Sequence, residues 1–322
     1  MDSGSDVEEV AHRQFIWAMP SEATEFETIP LDRKVVESKI ADTLPRGLAP
    51  GDSQFLTCGC DVGAHLLHWT VSAARLFAPD VWGSHVVNYG LIEVPSREFG
   101  LVKGFEIAFE QLHDMMENVG FNVERTGEAW APWQVFIDSK YRGDDVYRAC
   151  ARFGNRYRPT EGRGLSQMVA DDYHQPTATT KLIIEIGERW HLADRPEKGV
   201  EVVVCDANHF KSKVHDGLRI KSGHSGSLSI FAATWQEHLK YSHHLTAEKE
   251  VELFDPKRGL VRVWKRDGEK ANHWLDSTYL ALLAQVFCLK KLKDEDKAAA
   301  PAMQPLLSNL QGKGVGFNLR RM

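Results

Sequence analysis

The sequence predicts an α/β protein, a mixed β-sheet covered by helices, and three observations support that expectation. Three apolar runs of strand length, "QFLTCGCD", "LLHWTVSAARLF" and "SHVVNYGLIEV", follow one another from residue 54 to 94 with only "DVGAH" and "APD" as turn material. An amphipathic helix pattern, "KGFEIAFEQLHDMMENVG", comes next, with apolar residues at 105, 108, 109, 112, 115, 116 and 119 and Gly120 as its stop. A short apolar run ending in Asp138 and a second helix pattern, "DDVYRACARFG", complete the order strand, strand, strand, helix, strand, helix. A sheet that must bury a face beneath helices has this order.

The remaining elements follow along the chain. Residues 1–50 are polar and punctuated by proline; they read as a lead-in segment with one aromatic cluster, "FIWAMP", and one short helix in "LDRKVVESKIADTL". The first three strands read as an antiparallel meander. Beyond the second helix, "GRGLSQMVADDYHQPTATT" is a long polar insertion, then "KLIIEIGERWHL" and "VEVVVCD" are two strands and "ANHFKSKVHDGLRI" is a helix. The glycine- and serine-rich "KSGHSGSLS" reads as mobile, and "EVELF" and "LVRVWKR" flank the hairpin turn "DPKRG". "NHWLDSTYLALLAQVFCLKKL" is apolar nearly all round, which predicts a buried helix. The main domain thus spans 51–292, and 293–322 reads as a flexible tail that docks a partner or stays disordered.

Composition narrows the class. A chain of 322 residues, 43% hydrophobic, buries a substantial core. No apolar run reaches the roughly 18 to 20 residues that span a bilayer, and the acidic start "MDSGSDVEEV" is unlike a signal peptide, so a cytoplasmic protein is expected. The five cysteines sit in apolar stretches and read as small core residues rather than a disulfide framework. A net charge of -6 argues against nucleic-acid binding by bulk electrostatics, yet seven basic side chains (Lys140, Arg142, Arg148, Arg152, Arg156, Arg158, Arg163) crowd into 140–163 against three acidic ones. That segment is either a solvated helix face or a phosphate-contacting patch.

Three acids carry the candidate chemistry. In "FLTCGCDVG", strand alternation puts Leu56, Cys58 and Cys60 on one face and Phe55, Thr57, Gly59 and Asp61 on the other. The thiols therefore point away from Asp61. No second cysteine pair completes a thiolate metal site. Asp138 ends "WQVFID" as Asp61 ends its own strand, and in α/β sheets such strand ends converge on one edge. Asp276 lies in the first turns of the apolar helix, with His273 three residues earlier on the same face. Two strand-end carboxylates and one helix-start carboxylate suit two hard divalent cations, Mg2+ or Mn2+, acting on a phosphodiester. Each acid has a plainer reading as a loop or helix cap.

The order of these pieces resembles the nuclease domain of the large subunit of tailed-phage terminases, the lambda-like group, whose fold is ribonuclease H-like. The resemblance covers about 50–290 and rests on "FLTCGCDVG", "VFIDSKYRGDDVYRAC", "VVVCDANHFKSKVHDGL", "HHLTAEKEVE" and "NHWLDSTYLALLA". It implies a ribonuclease H-like mixed sheet flanked by helices and an endonuclease that cuts concatemeric viral DNA during packaging. Asp61, Asp138 and Asp276 would be the metal ligands, with His273 beside the third. Lys140, Arg142, Lys211 and Lys213 would meet DNA, and Asp206 would stand near the site. Double-stranded DNA, a terminase small subunit, a separate packaging ATPase and a portal protein are the implied partners.

The sequence departs from a complete large subunit in having no G-x-x-x-x-G-K-[ST] phosphate loop. The expectation is a nuclease domain without its motor. Another ribonuclease H-like nuclease, a resolvase or an RNA-strand hydrolase, would differ in its preferred substrate. A non-catalytic packaging module would use the basic segment or the tail to dock a partner.

Overall fold

The computed structural model describes residues 26–27, 30–164, 183–255 and 259–299. Its centre is a ten-stranded mixed sheet. The strands are β1 (Ile40–Pro45), β2 (Ser53–Val62), β3 (Leu66–Ala78), β4 (Val81–Glu93), β5 (Gln134–Asp138), β6 (Tyr157–Arg163), β7 (Ile183–Gly187), β8 (Trp190–Arg195), β9 (Val200–Asp206) and β10 (Leu228–Ala232). Across the sheet they run β7-β8-β9-β6-β5-β2-β3-β4-β10-β1. The β2-β3-β4 meander is antiparallel, while β5 pairs parallel with β2, β6 with β5 and β9 with β6. This is a mixed sheet flanked by helices, as the sequence predicts.

Seven helices among the described residues cover the sheet: α1 (Arg33–Glu37), α2 (Ser96–Phe99), α3 (Leu101–Asp114), α4 (Gly143–Phe153), α5 (Ala207–Arg219), α6 (Trp235–Leu245) and α7 (His273–Ala299). A π-helical turn, Met115–Val119, ends α3, and Gly120 stops it at φ 62°. The alternation along β2 decides which helix meets which side chain. Leu56, Cys58, Cys60 and Val62 enter the core beneath α3 and α4 with Phe105, Phe109, Val146 and Cys150. Phe55 enters the opposite core, built from α5, α6 and α7 with Phe210, Tyr241, Leu275, Leu280 and Phe287. Gly59 is the point of closest approach on that side: a Cβ there would collide with the Ser277 carbonyl and the Ala281 amide of α7. Thr57 Oγ1 donates to the Ala281 carbonyl at 2.9 Å and pins the same contact.

Several expectations need correction. The helix expected over 31–44 is confined to Arg33–Glu37, capped by Asp32, whose Oδ1 accepts from Lys34 N at 2.9 Å. The β-branched and proline-terminated remainder, Ile40–Pro45, instead adds an edge strand parallel to β10. "KLIIEIGERWHL" is not one strand: β7 and β8 form a hairpin that turns at Arg189, whose φ is 59°. The segment "KSGHSGSLS" is tied down, with Gly226 N bonded to the Trp82 carbonyl and Ser84 N to the Ser227 carbonyl. Gly223 and Gly226, both at positive φ, make its turns.

Strands β6 and β10 and helices α2 and α6 had no expectation. Strand β6 is hidden by its proline and charges, and α6 follows the capping box of Thr234 and Glu237. "EVELF" and "LVRVWKR" do pair, as β11 (Glu248–Asp255) and β12 (Gly259–Arg266), in a small separate sheet with Phe26–Glu27. The polar insertion from 165 on, the middle of the "DPKRG" turn, the "FIWAMP" cluster and the tail beyond 299 lie outside the described residues.

Candidate metal centre

Asp61 and Asp138 stand side by side because β2 and β5 are parallel neighbours. Cys60 faces Ile137 in that register, and the next residue on each strand is the acid. Helix α7 crosses the same face of β2 over Gly59, which brings its first turn, with His273 and Asp276, to the strand ends. The electrostatics show how closely the three acids gather. Burial pushes the Asp138 carboxyl up to about 7, and the charges of Asp61 and then Asp276 push in the same direction. Asp276 is raised first by burial, with Asp61 adding to the rise and Lys211 opposing it. Carboxylates crowded enough for Asp61 and Asp276 to act on Asp138 in this way call for a cation or a shared proton.

Asp61 and Asp276 are held by groups that sequence reasoning had not assigned to them. His273 Nδ1 lies 2.8 Å from Asp61 Oδ2, and that hydrogen bond raises the imidazole's pKa against the effect of burial. His68 lies on β3 directly opposite Asp61, 6% exposed, its ring stacked on His273 at 4.5 Å between centroids. Burial first, then the neighbouring His273 and His244, drives the pKa of His68 down to about 3, so it stays neutral. Its Nδ1 has no hydrogen-bond partner. Asp276 Oδ1 is 3.0 Å from Lys211 Nζ, and Asp276 Oδ2 accepts from Asn272 Nδ2 at 2.7 Å. Lys211 also reaches Glu248 Oε2 at 2.6 Å, and Asn272 bonds both Glu248 and Arg266. Burial works against the Lys211 charge, but Asp276 and Glu248 outweigh it and raise its pKa.

The other expected residues are placed differently from one another. Lys211 is an internal counter-ion to Asp276 and Glu248, not an open phosphate contact. Lys213, about a third exposed, pairs with Glu188 at 3.5 Å. Arg142 is bonded to Asp145 at 2.6 Å and lies over the Phe105 ring, so it is occupied at the start of α4. Asp206 caps α5, its Oδ1 accepting from His209 N at 3.2 Å. The six arginines of 140–163 each meet a carboxylate: Asp145 for Arg142 and Arg148, and Glu110, Glu117, Glu201 and Glu161 for the others. Lys140 remains exposed, next to Asp138, whose carboxyl its charge helps to lower. With Ser139, Glu161 and Arg163 it lines a cavity at the ends of β5 and β6.

The antiparallel turn between β2 and β3 was the available signal for His68, since seven residues around a tight hairpin return to the same level of the ladder. Glu248 and Lys211 had no local signal. Their meeting depends on α5, β11 and α7 converging.

A mixed sheet whose strand ends and one helix start gather carboxylates, with imidazoles beside them, defines an α/β protein with a candidate cation site at one sheet edge. The chain belongs to the family of the terminase large subunit gpA endonuclease domain, whose family model matches residues 14–296. Membership supports a nuclease role in packaging. Among solved structures it is similar to the large terminase nuclease from thermophilic phage G20c, at 10% identity and a TM-score of 0.39, over 79% of this chain and 97% of that one. No curated protein sequence matches significantly. No described helix is long and apolar enough to cross a membrane.

Proposed function

We propose that this chain is a divalent-metal-dependent endonuclease that cuts concatemeric viral double-stranded DNA during genome packaging, by two-metal hydrolysis of a phosphodiester. The reading is carried by the gathering of Asp61, Asp138 and Asp276: burial first, and then the charges of Asp61 and Asp276, lift Asp138 to about 7. Carboxylate oxygens in that number fit Mg2+ or Mn2+, which bind hard oxygen donors and keep several waters. When bound, such cations supply an activated water and charge stabilisation at the leaving oxygen.

The chain's own residues do the rest. Asp61, Asp138 and Asp276 hold the cations, and His273 fixes the orientation of Asp61 through its 2.8 Å hydrogen bond. Lys211 and Asn272 fix Asp276 from the opposite side, at 3.0 and 2.7 Å. Lys140, exposed beside Asp138, takes a DNA phosphate at the mouth of the site, and Lys213 extends that contact. The acidic net charge and the paired arginines leave little general affinity for DNA. The role therefore calls for partners that present the substrate: a packaging ATPase, a small subunit and a portal protein in the host cytoplasm.

Incubation of supercoiled plasmid with the protein and Mn2+ or Mg2+ tests this. Nicking and linearisation are expected from the parent and are lost in Asp61→Ala, Asp138→Ala and Asp276→Ala. Full cutting by all three variants overturns the site, and no cutting by the folded parent with either metal overturns the function.

A further inference from the structure

We propose that Asp61, His68 and His273 form a metal position of mixed oxygen and nitrogen donors, which takes a borderline cation such as Mn2+ or Co2+ ahead of Mg2+. The inference rests on the metal-dependent reading above and adds His68 to it.

One ligating atom from each of the three residues lies within 4.8 Å of those of the other two. The fold brings them there by independent routes. Asp61 and His68 are direct partners in the β2-β3 ladder and therefore share a face, while His273 is the first residue of α7. His68 is the telling member. It is 6% exposed, its Nδ1 has no partner, and a buried polar atom left unpaired in a folded protein calls for an explanation, an ion among them. Stacking on His273 alone does not account for that nitrogen.

The surroundings single out these two imidazoles. His244, the third histidine nearby, is not among the donors that come within 4.8 Å of one another, and its Nδ1 accepts from the Trp274 backbone N–H at 3.3 Å, so it walls the position instead of joining it. Trp274 closes another side, edge-on to His68 at 5.3 Å. Carboxylates alone favour Mg2+, which binds through oxygen, whereas imidazole shifts preference toward the later first-row ions. A position with two imidazoles and one carboxylate thus separates the metals that an all-carboxylate position does not.

The test uses the full chain without DNA. It is titrated with MnCl2, CoCl2 and MgCl2 by calorimetry, and the Mn2+-loaded protein is examined by electron spin echo for coupling to nitrogen. We expect nitrogen coupling in the parent and Mn2+ and Co2+ affinities at least about tenfold above that for Mg2+. His68→Leu should lower the Mn2+ and Co2+ affinities by about tenfold or more while changing that for Mg2+ little. Because His68 is buried, thermal melts check that the variant folds, and His273→Ala, at a partly exposed residue, should produce the same selective loss. A Mn2+ signal without nitrogen coupling, or equal affinities for the three ions, overturns the mixed-donor position while leaving the carboxylate reading intact. Failure of the parent to bind any of the three ions contradicts both.

Discussion

Lys211 Nζ lies 3.0 Å from Asp276 Oδ1 and 2.6 Å from Glu248 Oε2, so one buried ammonium links the candidate site on α7 to the β11-β12 hairpin. The position of Asp276 therefore depends on an element outside the central sheet. In Lys211→Met, Asp276 and Glu248 lose their shared counter-charge, and breaking such a buried pair costs about 3 kcal/mol. Urea unfolding without metal should show that loss, and saturating Mn2+ should restore part of it by replacing the missing positive charge. A variant as stable as the parent would show that the pair contributes nothing.

Gly59 and Cys58 are neighbours with opposite tolerances. A methyl at Gly59 has nowhere to go, since Ser277 and Ala281 of α7 already occupy its space, so Gly59→Ala should destabilise by at least about 1–3 kcal/mol and lower cleavage by displacing α7. Cys58→Ala with Cys60→Ala removes two buried thiols on the far face of β2 and should lower stability only, leaving metal-dependent cutting in place. Melting curves and plasmid cleavage on both variants separate the outcomes. Selective loss of bound metal from the folded cysteine variant would contradict the assignment of the thiols to the core.

His85 is buried, its Nδ1 2.8 Å from Ser229 Oγ, and burial with the nearby Arg75 charge lowers its pKa to about 3. The folded value is below the free imidazole value of about 6.5, so the unfolded chain takes up the proton first. The contribution to stability is thus complete above pH 6.5 and declines as pH falls toward 3. Whatever stability His85→Gln lacks at pH 7 should shrink by roughly 2 kcal/mol at pH 5, at about 1.4 kcal/mol per pH unit for one proton. Urea unfolding at the two pH values reads the difference, and a deficit independent of pH would contradict the neutral buried imidazole.

The parts that were legible in the sequence are those where local pattern and tertiary demand agree. The alternation of "FLTCGCD" separated the thiols from Asp61, and the helices with clear 3.6-residue periodicity stand where expected. Strand β6 was not legible because a central parallel strand containing Pro159 and Arg158 contradicts strand propensity; the Arg158 charge is met by Glu201 on β9, three-dimensional information that no window carries. The three acids were legible as strand-end and helix-start carboxylates. Their supports were not: Lys211, Glu248 and Asn272 come from three separate elements, and His68 reads as an ordinary strand residue until its partner in the ladder is known.

Asp138→Asn tests, with the least change in shape, whether the gathered carboxylates support metal-dependent cleavage. The rate of supercoiled plasmid nicking at saturating Mn2+ should fall at least about 100-fold in this variant, while its melting temperature stays at or above that of the metal-free parent, because the amide removes the repulsion from Asp61 and Asp276. Nicking by Asp138→Asn at the parental rate would contradict the account.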